Sequence, residues 1–216
     1  MSAPVLQIEG LSFSYPGRPV FTGWSAEIAA GLTWLRGGNG SGKSTLLALL
    51  AGALVPITGQ IAVNGTLQAR QPLDYRRQVF WCGPGPLVFD HLRPPEYFGF
   101  IAGLYPGLDA QALAGHVAAF GLTAHLGQRL SALSTGTQRK VALATALAVG
   151  TALVLLDEPF NALDAASLAH LQAVLRDVAA RRSQAWLVAS HPDPGADAPG
   201  RAVLDLQALP DLRSAA

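Results

Sequence analysis

The sequence predicts an α/β fold: a core of parallel strands, an antiparallel β layer ahead of it, and a helical lobe inserted within it. Three stretches carry that prediction. Gly31-Leu-Thr-Trp-Leu-Arg36 is a short apolar run that enters a glycine-rich loop and then a leucine-rich helix. Ala152-Leu-Val-Leu-Leu156 is an unbroken apolar run closed by Asp157 and Glu158, the pattern of a strand buried on both faces. Between them, Glu96 to Ala144 reads as mostly helical with breaks at Gly107, Gly121 and Gly127, which suits an insert between two halves of a sheet.

The first elements in chain order are two strands, Val5 to Ser14 and Val20 to Ile28, separated by the turn chemistry of Tyr15-Pro-Gly17. Tyr15 offers a ring that stacks on a purine or simply closes the small sheet; taken alone, both roles suit it. After the Gly31–Arg36 strand comes Gly37, Gly38, Asn39, Gly40, Ser41, Gly42, Lys43, Ser44 and Thr45, which contains the spacing G-x-x-x-x-G-K-[ST]. Its glycines allow positive φ and clear side chains away from backbone N–H groups that can wrap a phosphate chain. Lys43 supplies a point charge for β- and γ-phosphates and Ser44 a hydroxyl for Mg²⁺. The helix that follows adds its positive dipole end. The expected ligand is therefore a Mg-nucleoside triphosphate.

Gly52 ends that helix, and Thr58 to Gly65 reads as a strand closed by an Asn-Gly turn. Val79-Phe-Trp81 is a further strand that runs into the stiff loop Gly83-Pro-Gly-Pro86. Leu133 to Lys140 opens a helix in which Ser134 is the candidate N-cap and Gly136 leaves backbone amides bare, a second place to hold an anion. Simple capping explains the same residues.

The Leu153–Leu156 run delivers Asp157 and Glu158 to the carboxyl edge of a parallel sheet, Asp157 for the Mg²⁺ shell and Glu158 to polarise an attacking water. A turn, Phe160 to Asp164, leads to a helix with Leu168, Leu171, Val174, Leu175 and Val178 on one face. Gln184 to Ala189 is the next strand, and it brings Ser190 and His191 to the same edge, where an imidazole can reach a γ-phosphate. The other four histidines, His91, His116, His125 and His170, are expected on the solvated surface.

Composition narrows the function classes. The 216 residues suffice for one sizeable core, and without a break in composition residues 1–216 read as one domain with its helical insert at about 90–145. A net charge of +1 and 13% charged residues give no basic surface, so nucleic acid is not an expected partner. The 50% apolar content suggests some surface covered by other subunits, although alanine inflates the figure. Met1 to Glu9 has no signal-peptide pattern, and Val141 to Leu156 is too short for the roughly 20 residues of a membrane span, so the chain is expected in the cytosol. Cys82 is the single cysteine, which excludes an internal disulfide and gives no zinc spacing.

With these pieces in order, the sequence resembles the nucleotide-binding subunit of ATP-binding cassette (ABC) transporters, a P-loop NTPase with a RecA-like parallel core. Tyr15 matches the adenine-stacking aromatic, Gly37 to Thr45 the Walker A loop, and Leu133 to Lys140 the signature sequence with Ser134 and Gly136. Leu153 to Glu158 matches Walker B with its catalytic glutamate, Asn161 to Asp164 the D-loop, and His191 the switch histidine. The short C-terminal extension after His191 is similar to small export-type cassettes, including the haem-export type of cytochrome c maturation.

The resemblance implies a head-to-tail pair, expected as a homodimer, with two ATP molecules between the chains. Ser134 and Gly136 of one chain then face the phosphate held by Lys43 of the other, with Asp164 near that junction. It also implies Mg²⁺, hydrolysis, and a transmembrane permease that holds the chain on the inner face of the cell membrane. Two departures stand out. Pro84 occupies the region where the family has a Mg²⁺-touching glutamine, Gln78 being too early, so water would replace that amide oxygen. Thr135 and Thr137 stand where the signature has glycine and glutamine. A soluble cassette ATPase of repair or translation would carry a coiled-coil insert or a second cassette, and neither is present. A regulatory subunit without turnover is motivated by Pro84 and opposed by Lys43, Asp157, Glu158 and His191.

Overall fold

The computed structural model describes residues 3–85, 87–181, 183–191 and 200–206. Met1 and Ser2 of the terminal segment, and Pro86 at the end of the Gly83–Pro86 loop, lie outside the described residues.

Two sheets form. The first is antiparallel and places β2 (Arg18–Ile28), β1 (Leu6–Tyr15), β4 (Thr58–Val63) and β5 (Thr66–Leu67) in that order. The expected Asn-Gly turn joins β4 to β5, with Asn64 at φ 48° and Gly65 at φ 76°, as a tight hairpin requires. The second sheet is parallel throughout. Its order is β6 (Val79–Cys82), β7 (Leu153–Asp157), β8 (Ala185–Ala189), β3 (Gly31–Arg36) and β9 (Ala202–Asp205).

The strand period of two divides the parallel sheet between two cores. Leu153 and Leu155 of β7, with Ala185, Leu187 and Ala189 of β8, face one apolar cluster shared with β1 and with α1 (Lys43–Leu50). Val154, Leu156, Trp186 and Val188 face the other, shared with α3 (Pro94–Leu104), α4 (Ala110–Ala119), α5 (Thr135–Ala148) and α6 (Ala165–Arg181). Burial on both faces is why β7 is apolar at every position before its acids, each buried Leu contributing about 1.5–3 kcal/mol.

The first helix of the insert begins at Pro94, two residues ahead of the helical pattern read from Glu96, and its last helix runs on to Ala148. Prolines at the first turn of α3 and the Arg93 amide, which donates to Glu96 Oε2 at 2.7 Å, set the early start, because proline is tolerated where no helical N–H is needed. Gly150, at φ 72°, turns α5 into β7 and sits so close to Gly107 that a Cβ would lie 2.3 Å from the Gly107 carbonyl oxygen. Among the described residues, α2 (Pro72–Arg77), a polar six-residue turn of helix, and β9 have no counterpart in the sequence reading. Among the described residues no helix is long and apolar enough to cross a membrane.

Candidate functional site

All five strands of the parallel sheet point the same way, so the loops after β3, β7 and β8 meet at one edge. There they line a cleft of about 390 Å³ bordered by Tyr15, Asn39, Gly40, Lys43, Ser44, Thr45, Glu158 and His191.

The loop after β3 enters α1 without a side-chain cap. Gly42 is the N-cap residue at φ 97°, leaving the first amides of α1 available to an anion. Gly40 also has positive φ, at 78°. Lys43 is 7% exposed, and its ammonium donates to the Gly37 carbonyl at 2.7 Å and the Gly38 carbonyl at 3.1 Å. It thus lies along the inside of the loop. The Ser41 amide turns back to the Gly38 carbonyl at 3.2 Å. Tyr15 is 43% exposed at the cleft wall, packs edge-on against Phe13 and brings its hydroxyl 3.4 Å from Thr45 Oγ1.

Asp157 is buried, and burial pushes its carboxyl above the usual range while a hydrogen bond from Ser44 opposes that shift. Its Oδ2 is buried with no protein partner. A buried carboxylate oxygen without a partner, next to a serine hydroxyl, is a hard-oxygen pair that fits Mg²⁺, which keeps several waters and takes few protein ligands. Among the described residues no group of three or more His, Cys, Asp or Glu is gathered for a metal.

Glu158 has the left-handed φ of 47°, which costs a non-glycine residue about 1–2 kcal/mol. Its amide is held by the Ala189 carbonyl at 2.8 Å. This backbone bend takes the side chain out of the strand direction and into the cleft, where the His191 amide donates to Oε2 at 3.4 Å. The His191 ring nitrogen Nε2 lies 3.7 Å from Glu158 Oε1 and donates to Asn39 Oδ1 at 2.6 Å. One histidine therefore touches both the phosphate loop and the acid.

Ser134, Gly136 and Asp164 are not part of this cleft. Ser134 is the N-cap of α5, its hydroxyl accepting from the Thr137 amide at 3.2 Å. Gly136 packs against the 161–164 turn, where a Cβ would lie 2.7 Å from the Ala162 carbonyl oxygen. Asp164 accepts from the Ser167 amide at 2.8 Å at the start of α6 and is paired with Lys140. That pairing, with the Ser167 amide, holds its carboxyl well below the usual range. Gln78 sits at the opposite end of β6, holding the hairpin through Thr66 at 2.8 Å and Asn64 at 3.1 Å, so it does not substitute for the residue at Pro84.

Two arginines were not legible in the sequence. Arg18, at the turn between β1 and β2, donates to the Gly40 carbonyl at 3.0 Å and ties the Tyr15 layer to the phosphate loop. Arg139, buried on α5, donates to the carbonyls of Gly83 and Asp157. Arg18 lies in no motif, Arg139 falls inside the Leu133–Lys140 stretch without a role read for it there, and each acts on carbonyls 18 or more residues away in the chain. The surface expectation for the histidines is corrected in part. His91 is exposed, but His116, His125 and His170 are half-buried, and His116 Nδ1 meets His170 Nε2 at 2.9 Å between α4 and α6.

A glycine-rich turn between a parallel strand and a helix, with an Asp-Glu pair at the same sheet edge, defines a P-loop nucleotide-binding subunit. Residues 22–161 match the family model described as ABC transporter, and the chain belongs to that family. It is 36% identical over 170 residues to the cytochrome c biogenesis ATP-binding export protein CcmA of Pseudomonas savastanoi pv. phaseolicola, covering 78% of this chain and 80% of that one. It is 30% identical over 212 residues to the ergothioneine transport ATP-binding protein EgtV of Helicobacter pylori, covering 95% and 98%. Among solved structures it is similar to an ATP-binding subunit of an ABC transporter, with TM-score 0.79 and 26% identity over 87% of this chain and 80% of that chain.

Proposed function

We propose that the chain hydrolyses ATP in the cleft around Lys43 to drive a separate membrane permease, working as one of two cassettes on the inner face of the membrane. It is the ATP-binding subunit of an ABC transporter. The observation that carries the hydrolytic reading is the meeting of Lys43, the unpartnered Asp157 oxygen beside Ser44, and Glu158 held by His191 at one sheet edge.

The residues divide the work as follows. Tyr15 offers its ring to the adenine, and the amides of residues 37–45 with the Lys43 ammonium take the phosphates. Ser44 and Asp157 would hold Mg²⁺, which when bound supplies positive charge across the β- and γ-phosphates. Glu158 orients a water and accepts its proton as the water oxygen bonds to the γ-phosphorus and the bond to the β–γ bridging oxygen breaks, giving ADP and phosphate. His191 fixes Glu158 through its amide and, with Asn39, keeps its ring at the γ-phosphate end.

The relatives carry cytochrome c biogenesis export and ergothioneine transport in their names. The stronger identity to the first supports an export system of that kind for this chain. The test is a pull-down of tagged Glu158→Gln from detergent-solubilised membranes with Mg-ATP. A polytopic membrane protein is the expected catch. Soluble proteins alone, with wild-type turnover intact, would overturn the permease reading. In the same preparations Lys43→Ala should lose nucleotide binding, and Glu158→Gln should bind ATP while turnover falls by about 10² or more.

A further inference from the structure

We propose that Arg139 is a positioning residue for Glu158, pinning the peptide between Asp157 and Glu158 so that the acid keeps its left-handed backbone and faces the cleft. The proposal rests on the reading of Glu158 as the group that acts on water. It starts from an unusual cation: Arg139 is 8% exposed on α5, and it donates to the carbonyls of Gly83 and Asp157 and to the Cys82 thiol. Burying a guanidinium costs several kcal/mol unless its donors are matched, so this placement calls for a purpose beyond filling space.

The bonds show what is held. Nη2 donates to the Asp157 carbonyl, whereas Nη1 donates to the Gly83 carbonyl and lies 3.7 Å from Cys82 Sγ. Cys82 pairs with Leu156 as the last register pair of β6 and β7. Arg139 therefore bridges the two strands one residue beyond the end of their ladder, with a fork whose two nitrogens serve two different strands.

The Asp157 carbonyl and the Glu158 amide belong to one rigid peptide plane. Its oxygen is held by Arg139 and its N–H by the Ala189 carbonyl of β8 at 2.8 Å. Clamped from both sides, that plane cannot rotate, and Glu158 is held at φ 47°. A backbone in a sparsely populated region persists only when its surroundings over-determine it. Without the α5 side of the clamp the peptide can turn and Glu158 can relax toward the strand direction, away from the water it must orient. A displacement of about 1 Å there lowers turnover steeply. The same fork carries any shift of the 83–85 loop to the acid, in a chain whose loop has Pro84 in place of a polar contact.

The experiment compares wild type, Glu158→Gln, Arg139→Met and Arg139→Lys, with trinitrophenyl-ATP binding and steady-state hydrolysis normalised to nucleotide-binding sites. In Arg139→Met we expect kcat per site to fall about tenfold or more while the nucleotide Kd stays within about threefold. Arg139→Lys, which keeps the charge but lacks the planar fork, should fall between it and wild type. Wild-type kcat per site in Arg139→Met, with Glu158→Gln inactive, overturns the proposal and leaves the site reading intact. Losses of kcat and binding in equal proportion also overturn it, because they mark a purely structural role. Wild-type turnover in Glu158→Gln removes the site reading itself and the Arg139 proposal with it. If Arg139→Met does not fold, Arg139→Lys decides: lower kcat per site at retained Kd supports the proposal, and wild-type kcat overturns it.

Discussion

Gly42 has φ 97°, and a Cβ there would lie 2.8 Å from Val20 Cγ1 and 3.2 Å from Phe21 Cζ. Gly65 also has positive φ, at 76°, with open space where its Cβ would be. Replacing each by alanine separates backbone strain from collision. Gly65→Ala should lower Tm by about 2–8 °C, the equivalent of about 1–2 kcal/mol in a chain of this size. Gly42→Ala should lower Tm further and weaken trinitrophenyl-ATP binding, which Gly65→Ala leaves unchanged; equal effects on binding would show that the phosphate loop does not need its shape. At this scale the sequence was informative wherever chemistry and spacing were local. Lys43, Ser44, Asp157, Glu158 and His191 could be singled out because each sits at the end of a strand or the start of a helix whose own pattern is clear. Arg18 and Arg139 could not, since what defines them is a carbonyl on another element, at Gly40 in one case and at Gly83 and Asp157 in the other.

Helices α4 and α6 meet through the imidazoles of His116 and His170, 2.9 Å apart, with Phe120 edge-on to His170. Burial lowers both pKa values, and for His116 the neighbouring His170 adds to it against the opposing Leu147 carbonyl and Asp109. A histidine whose folded pKa lies below the unfolded value of 6.5 makes the unfolded chain bind more protons below that pH. Stability is then full above pH 6.5 and is lost as pH falls through the folded values. The His116→Asn, His170→Asn double variant should show a flatter fall of urea midpoint between about pH 7 and 5 than wild type. An unchanged slope would remove the pair from the acid response. The sequence reading put these histidines on the surface because a single helix pattern says nothing about which other helix covers it. By contrast β3 and β7 were placed to within a residue, their apolar runs being set by a sheet that is buried on both faces. The polar six-residue α2 and the strand β9 carry no such periodicity, and packing alone decides them.

At the scale of the whole molecule, the parts of the site that lie outside the cleft matter most. Ser134 caps α5, and Gly136 and Asp164 lie against the neighbouring turn and helix. The α5 start capped by Ser134 lies outside this chain's own cleft, and it would meet a phosphate if it faced the cleft of another copy, as head-to-tail pairing of cassettes would place it. Nucleotide then acts as shared ligand, and dimerisation depends on it by mass action. Glu158→Gln, which keeps ATP intact, should run as a monomer in gel filtration without nucleotide and as a dimer with Mg-ATP. Ser134→Asp in that background is the discriminating change, because aspartate caps a helix about as well as serine while adding a negative charge toward a phosphate. It should leave trinitrophenyl-ATP binding to the monomer within about twofold of Glu158→Gln, since Ser134 is outside the cleft, and weaken the Mg-ATP dimer by about tenfold or more through like-charge repulsion. A monomer at every Mg-ATP concentration in Glu158→Gln would sink the sandwich. An undiminished dimer in the Ser134→Asp variant would keep a dimer but move the α5 start away from the phosphate.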